Sequence, residues 1–228
     1  MTVSIVVGGS SGLGRAVAAH RASLGDEVVI TSRDAGRAAE VAAEIGGATT
    51  GLALDLADPA GIADSLAGIA AVDHLVITAI EQGVNSVRNF DIALAVRSVT
   101  VKLVGYTETV RVLLPRFRPG ASVVLFGGLA MERPYPGSTI VTAFNGGVSG
   151  LVRTIAVEIA PFRVNAIHPG VVGDSPKWRD VLDHPHAART PLGRLVTMDE
   201  VVDATDFLLR NTGVNAHDLF IEGGLLAT

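Results

Sequence analysis

The stretch from Val3 to His20, VSIVVGGSSGLGRAVAAH, decides how the rest of the chain is interpreted. Its apolar start, Val3 to Val7, is typical of a short buried strand, and the residues from Gly14 onward have the apolar spacing of a helix. The glycines between them let a phosphate approach the backbone, at a helix N-terminus with free N–H donors and a positive dipole end. A glycine-rich turn alone is weak evidence, so this prediction of a phosphate site depends on the elements that follow.

Short apolar runs and helical patterns alternate along the whole chain. Further strands are predicted at residues 27–33, 50–56, 72–78, 121–128, 163–170 and 217–224. Helices are predicted at residues 14–25, 35–47, 58–69, within 88–116, and at 138–159 and 198–211. Such alternation indicates βαβ units and a parallel sheet covered on both faces. The predicted fold class is therefore α/β: a Rossmann-type, doubly wound parallel sheet of about seven strands with helices on both faces. We expect one domain, 1–228, with residues 173–189 as a substrate lid that presents Trp178.

Composition excludes several classes of function. Hydrophobic residues make up 48% of the 228 residues and charged residues 18%, which is typical of a globular chain. A net charge of −5 argues against a nucleic-acid partner, which needs a basic face. The absence of cysteine excludes disulfides, thiolate zinc sites and thiol nucleophiles. The N-terminal residues lack a basic region and no apolar run of 18 residues escapes a charge, so we expect no signal peptide, no membrane span and a cytoplasmic location.

The end of the second predicted strand indicates which dinucleotide binds. An acidic residue there would bind the ribose 2′-hydroxyl of NAD, but this chain has Thr31, Ser32 and Arg33. Ser32 can donate to a 2′-phosphate and Arg33 can pair with it, which favours NADP; the alternative is a solvated arginine at a helix start. Asp55, at the end of the third strand, could accept from the adenine amino group or be an ordinary loop aspartate.

The motifs and their order along the chain resemble those of the classical short-chain dehydrogenase/reductase family. The resemblance covers essentially the whole chain. Five segments carry it: GGSSGLG (8–14), LDL (54–56), RVNAIHPG (163–170), TPLGRL (190–195) and FIEGG (220–224). The residue-level argument and the resemblance together give the predicted NADP-binding set: Gly8, Ser10, Ser11, Gly12, Leu13, Gly14, Ser32, Arg33, Asp55, Leu56, Ala79, Pro169, Gly170 and Val172. The resemblance also implies a homodimer or homotetramer, because in this family two long helices usually pair between subunits.

The resemblance breaks at the catalytic residues. The family's serine, tyrosine, lysine and asparagine correspond here to Gly128, Val141, Asn145 and Lys102. The lysine and asparagine have thus changed places, so Lys102 could bring an ammonium to the site from the opposite helix; the alternative is a surface residue of an amphipathic helix. Tyr135 is a candidate proton donor, or an aromatic side chain packed against neighbouring prolines. We therefore predict Lys102, Asn145 and Tyr135 as the candidate catalytic residues.

Other polar residues give weaker signals. Thr142, next to the tyrosine position, is a poor acid, and His168 is interpreted as structural. Glu81 and Asp174 are expected to flank the pocket mouth. The segment Asp183–Arg189 has histidines that could bind a metal weakly, but a mobile loop is favoured, so no metal site is predicted.

Three functions are compatible with these observations. The first is an NADP-dependent oxidoreductase with an atypical active site, acting on a small apolar carbonyl, alcohol or enone. The second keeps the fold without the redox step, as an isomerase, cyclase or dehydratase. The third is a non-catalytic nucleotide-binding protein. The glycine turn and Arg33 favour the first or the third over a cofactor-free form of the second. The substituted catalytic positions favour the second or the third over the first, and a lid with Trp178 counts against the third. The first is the function predicted here, with a small-molecule substrate and neither nucleic acid nor membrane as a partner.

Overall fold

The computed structural model describes residues 1–81, 83–181 and 184–228. These form a seven-stranded, wholly parallel sheet in the order β3-β2-β1-β4-β5-β6-β7. The strands are β1 (Val3–Val7), β2 (Glu27–Ser32), β3 (Ala48–Ala53), β4 (Val72–Ile77), β5 (Phe117–Phe126), β6 (Arg163–Pro169) and β7 (Asp218–Ile221). Because the strand order reverses between β1 and β4, the sheet is doubly wound, and the predicted fold class is confirmed.

Helices connect the strands on both faces of the sheet. They are α1 (Gly12–Ser23), α2 (Ala35–Ile45), α3 (Ile62–Ser65), α4 (Ile92–Val99), α5 (Tyr106–Leu113), α6 (Thr139–Glu158), α7 (Pro185–Arg189) and α8 (Met198–Arg210). A π-helical segment, Thr100–Gly105, joins α4 to α5 without a break, so the long helix expected within 88–116 is confirmed but carries an unexpected widened turn. Such π segments are rare and occur frequently at functional sites.

Alternate residues of the central strands face opposite helical layers. Ile5 of β1 packs in one cluster with Leu113 and Val152 of α5 and α6, whereas Val6 packs in a second cluster with Val17 and Leu208 of α1 and α8. This two-residue period is the one that a strand requires when it is buried on both faces. The near-continuous apolar runs of the sequence therefore follow from the two helical layers.

Several predicted elements end earlier than expected; β7, for example, ends at Ile221 rather than at residue 224. The helix predicted over 58–69 is a 3₁₀ turn at Pro59–Gly61 followed by the single turn Ile62–Ser65. Glycines at 61 and 68 weaken helix formation there. The third strand ends at Ala53 rather than at residue 56, because the Asp55 carboxylate accepts from the amide of Ala57 and starts a turn.

Helix α6 is the longest helix of the described residues and is strongly apolar. Among the described residues it is long and apolar enough to cross a membrane, by length and composition only. Its side chains Phe144, Val148 and Val152 are buried in the protein, two of them in the cluster on one face of the sheet. Packing within the fold therefore accounts for much of its apolar character.

Candidate functional site

A cleft of about 590 Å³ opens at the carboxyl ends of the central strands. It lies where the strand order reverses, the place at which doubly wound sheets bind their ligands. Every predicted cofactor residue lines it, namely Gly8, Ser10, Ser11, Gly12, Leu13, Gly14, Ser32, Arg33, Asp55, Leu56, Ala79, Pro169, Gly170 and Val172. Residues predicted from separate motifs are thus brought together on one surface of suitable size.

The glycine turn has the geometry of a phosphate cradle. Gly8 has a φ of 85°, and a Cβ on Gly14 would lie 2.3 Å from the carbonyl oxygen of Gly8, so neither position admits a side chain. Gly12 has a φ of 50° and nothing within 4 Å of where its Cβ would be. The side chain of Ser11 makes no capping hydrogen bond at the start of α1, and no acidic residue occupies the first turn. The first amides of α1 can therefore bind a pyrophosphate, and the donor set fits a dinucleotide.

Two threonines outside the predicted cofactor set hold this turn. The Thr78 hydroxyl lies 3.1 Å from the carbonyl oxygen of Val7 and 3.2 Å from that of Gly8. On the other side, the amide of Gly8 donates to Thr31 Oγ1 at 3.2 Å. The turn is thereby fastened to β4 and β2, its neighbours on either side.

Four charged side chains meet at the edge of the cleft. Glu81 Oε2 lies 2.9 Å from Arg97 Nε and 3.6 Å from Arg33 Nη1. Arg97 also donates to Asp55 at 3.3 Å, and these two carboxylates raise the pKa of its guanidinium. Glu81 thus lies at the pocket mouth, as expected, but as a partner of Arg33. The arginine predicted to bind a 2′-phosphate has a carboxylate beside it, and Arg97 was not predicted.

Residues of the predicted lid also line the cleft. Ser175, Pro176, Lys177 and Trp178 line the cleft. The Trp178 ring packs edge-on against His184 at a centroid distance of 4.8 Å, and Lys177 Nζ lies 4.9 Å from the Trp178 ring centroid. The described part of residues 173–189 therefore places an aromatic side chain on the cleft wall, as expected.

Lys102 lies on the cleft wall within the π-helical segment. Its side chain is 1% exposed, and Nζ donates to the hydroxyl of Tyr106 at 2.8 Å. Tyr106 is fully buried and its hydroxyl donates to the carbonyl oxygen of Ala79 at 2.9 Å. Lys102 is therefore not the surface residue of an amphipathic helix, which was the alternative interpretation.

Burial is the main cause of the shifted pKa values of Lys102 and Tyr106. It lowers the pKa of Lys102 to about 7 and raises the pKa of Tyr106 well above its ordinary value. Lys102 belongs to no ion pair among the described residues. Its Nζ lies 4.8 Å from the ring centroid of Tyr106 and 5.9 Å from that of Phe144, so these rings face its charged form. At neutral pH the amine is thus present in both protonation states while the phenol stays protonated.

Comparison with known proteins identifies the family. Residues 7–226 match the family model described as Enoyl-(Acyl carrier protein) reductase. Carbonyl reductase family member 4 of Xenopus tropicalis is 30% identical, over 98% of this chain and 97% of that protein. L-xylulose reductase of Mesocricetus auratus is 30% identical, over 99% of this chain and 96% of that protein. A solved structure of a short chain dehydrogenase/reductase family protein has a TM-score of 0.89 and 31% identity, over 100% of this chain and 98% of that chain.

The chain belongs to the short-chain dehydrogenase/reductase family. Its membership makes it an oxidoreductase of the short-chain dehydrogenase/reductase type, in a family that depends on nicotinamide nucleotides. The cleft described above brings together the residues that the sequence analysis predicted for the cofactor.

Gly128 and Asn145, which the sequence analysis aligned with the family's serine and lysine, lie side by side. Asn145, at the lysine position, is 3% exposed, and its Nδ2 would lie 2.9 Å from a Cβ on Gly128, the serine position. Asn145 Oδ1 has no hydrogen-bond partner within the described ranges. Neither Asn145 nor Gly128 lines the cleft. Asn145, predicted to be catalytic, therefore packs behind the wall that it was expected to face.

His168 lies behind Gly128 and accepts a hydrogen bond from its backbone amide. Its Nδ1 accepts from the amide of Gly128 at 3.1 Å and its Nε2 lies 2.9 Å from Asp218 Oδ1, so the ring proton is on Nε2. Burial lowers the pKa of His168 and keeps the ring neutral. Ser149 donates to the same Asp218 oxygen at 2.7 Å. Because the serine proton goes to the aspartate, these three residues are not a nucleophilic triad, and the structural interpretation of His168 agrees with its contacts.

The remaining predicted residues lie away from the cleft wall. Tyr135 is 55% exposed and is not among the lining residues, so the structure does not bring this candidate donor to the cleft. The Thr142 hydroxyl donates to the carbonyl oxygen of Ala130, and Asp174 accepts from the amide of Met198 at the start of α8. Asp183 lies outside the described residues, and no group of three metal-ligating side chains occurs within them.

Proposed function

We propose that this protein is an NADP-dependent reductase of a small apolar carbonyl compound or enone, with Lys102 as its proton donor. The observation that carries the proposal is the single cleft whose wall combines the predicted cofactor residues with a buried lysine amine. The reverse reaction, oxidation of the corresponding alcohol, would use the same groups.

The cofactor end of the cleft supports NADP rather than NAD. The first turn of α1 offers amides to a pyrophosphate, and the end of β2 presents Ser32 and Arg33 where an acidic residue would select NAD. When bound, the nicotinamide would supply the hydride. Holding two reactants together in this way contributes roughly 7–11 kcal/mol to lowering the barrier.

Lys102 has the properties of a general acid. A proton donor is most effective when its pKa lies near the working pH, and burial brings the pKa of Lys102 to about 7. As the carbonyl oxygen of the substrate gains negative charge, the ammonium gives it a proton and becomes a neutral amine. Burial favours that neutral product, and the hydrogen bond to Tyr106 holds Nζ in place throughout.

The substrate end of the cleft is mostly apolar. Ile80, Val101 and Phe126 line it, as do Pro176 and Trp178 of the predicted lid. These side chains favour a small apolar substrate. Polar groups of a substrate would find no hydrogen-bond partner among them, and burying such groups costs free energy.

The first test is a titration of NADPH and NADH, followed by quenching of Trp178, which is the only tryptophan of the sequence, and confirmed by calorimetry. We expect tighter binding of NADPH, and then NADPH oxidation in a screen of small ketones, aldehydes and enones. Failure of both cofactors to bind would remove the reductase proposal.

The substituted serine, tyrosine and lysine positions favour a second candidate: a protein that keeps the fold and the cleft but not the redox step. Gly128, Val141 and Asn145 offer no acid or base. Tight NADPH binding without oxidation by any carbonyl compound would favour this candidate.

We also propose that the protein assembles as a homodimer or homotetramer. Ile92 and Val96 of α4 are 70% and 61% exposed, and Val157 of α6 is 78% exposed. A second copy would cover these side chains, and light scattering of the purified protein would test this assembly. The cytoplasmic location expected from the sequence is likewise a proposal, which cell fractionation would test.

A further inference from the structure

The chain is unusual in its choice of basic residues. Of its 18 lysines and arginines only two are lysines, Lys102 and Lys177. Both line the same cleft. Arginine stays protonated in proteins, whereas a lysine can lose its proton and become a nucleophile. The side-chain amines of this protein are thus concentrated at one site.

The surroundings of Lys102 favour an uncharged amine. Its Nζ has one hydrogen-bond partner in the described part of the chain, the neutral hydroxyl of Tyr106 at 2.8 Å. No carboxylate of the described residues lies within ion-pair distance of it. Val101 and Phe126 line the cleft beside it. Desolvation of a lysine in such a pocket is a known way of activating it as a nucleophile.

We propose that Lys102 captures carbonyl compounds covalently, forming an iminium between its Nζ and the carbonyl carbon of a small apolar aldehyde or ketone bound in the cleft. The neutral amine attacks the carbonyl carbon, and the carbonyl oxygen is protonated, which gives a carbinolamine. The C–O bond then breaks and water leaves. Overall, one lysine ammonium and one carbonyl compound give one iminium and one water, so no oxidant or reductant is required.

This activity goes beyond the proposed reductase and does not depend on a cofactor. An iminium withdraws electrons from the neighbouring carbon, so protons on that carbon become easier to remove. A captured ketone would therefore exchange its α-protons with solvent, and a captured enone could shift its double bond. These are the reactions of an isomerase, the class that the substituted serine and tyrosine positions leave open.

Reductive trapping tests the proposal directly. The protein, without cofactor, is incubated at pH 7 with cyclohexanone or butanal, then treated with sodium borohydride and analysed by intact mass and peptide mapping. We expect a borohydride-dependent mass gain equal to the carbonyl compound less one oxygen atom, on the peptide that contains Lys102. At pH 7 a lysine with a pKa of about 7 has roughly a thousandfold more neutral amine than an ordinary lysine, so low carbonyl concentrations should suffice.

The chain offers a matched control. In the unsubstituted protein the peptide that contains Lys177, the other lysine, should carry far less adduct than the peptide that contains Lys102, and the K102R variant should lose the adduct. If K102R does not fold, as judged by circular dichroism, the peptide map of the unsubstituted protein decides alone. Adducts confined to Lys177 or the N-terminal amine, or no borohydride-dependent adduct, would overturn the proposal. Since no cofactor is present, these results are independent of the NADPH titration.

Discussion

At the scale of single residues, the protonation of Lys102 makes a prediction about the pH dependence of reduction. The ammonium, which is the donor, is present below its pKa of about 7 and is lost as the pH rises through that value. The rate of NADPH oxidation should therefore be highest below pH 7 and fall above it. The K102M variant should lose about 10²- to 10⁴-fold in kcat, because that is the typical contribution of a positioned general acid. Stopped-flow measurement of single-turnover rates between pH 5.5 and 9 would check both effects; a flat profile would contradict them.

Arg33 and Glu81 make a second prediction at this scale. Replacing Arg33 with Ala should weaken NADPH binding by roughly 10- to 100-fold and leave NADH nearly unaffected, since charge-assisted hydrogen bonds contribute about 1.5–3 kcal/mol. The E81Q variant should bind NADPH more tightly, because a negative charge 3.6 Å from Arg33 is removed while the amide oxygen can still accept from Arg97. Calorimetry with both cofactors measures these changes, and E158Q, an exposed position on α6, is the control. Equal effects of R33A on both cofactors would remove the phosphate role.

The sequence predicted a set of residues that the fold brings together in one cleft, but it did not predict the partner of Lys102. The glycine turn, Arg33 and Asp55 belong to motifs with fixed spacing to strand ends, so they could be predicted. Tyr106 belongs to none, and the only signal was its position four residues after a lysine in an otherwise uncharged helical stretch. Asn145 and Tyr135 were predicted from an aligned position and a nearby loop, which do not specify where a side chain points.

At the scale of elements, the π-helical segment sets the position of Lys102 and makes a third prediction. A Cβ on Gly105 would lie 2.7 Å from both the Cβ and the carbonyl oxygen of Leu56. The G105A substitution must therefore push the π-helical segment away from Leu56. We expect a loss of about 1–3 kcal/mol in the free energy of unfolding, together with slower reduction. G150A in α6 is the control: no atom lies within 4 Å of its Cβ position, and alanine favours a helix by about 1 kcal/mol. Urea unfolding compares the two variants, and equal stabilities would contradict the argument.

The lengths of elements were harder to predict than their order. Alternation of apolar runs located each strand, because strands buried on both faces must be apolar. The helix expected over 58–69 is short because Gly61 and Gly68 weaken helix formation, even though Ile62, Leu66 and Ile69 are buried in the core. The π-helical segment gave no periodic signal, since a single widened turn barely changes the spacing of apolar side chains.

At the scale of the whole molecule, stability depends on pH through two histidines, the half-buried His74 and the fully buried His168. Burial, and then the charge of Arg21, lower the pKa of His74 on β4 to about 4, and burial lowers that of His168. The unfolded chain binds these protons at an ordinary pKa near 6.5, so protons favour unfolding. The stabilising contribution is present above pH 6.5 and is lost as the pH falls from there towards 4; for His74 it amounts to about 2 kcal/mol between pH 7 and pH 5.

Urea unfolding at pH 7 and pH 5 measures this loss, and replacing His74 with Gln should remove its share of the difference. The carboxylates do not obscure the result, because the pKa of Glu200 is lowered to about 2, and those of Asp206 and Asp218 are lowered as well. The stability that these three carboxylates contribute is therefore lost mainly below pH 5. An H74Q variant whose stability falls as steeply between pH 7 and pH 5 as that of the unsubstituted protein would show that His74 is not the group responsible. The effect would then belong to His168, to His186, whose pKa burial also lowers, or to assembly.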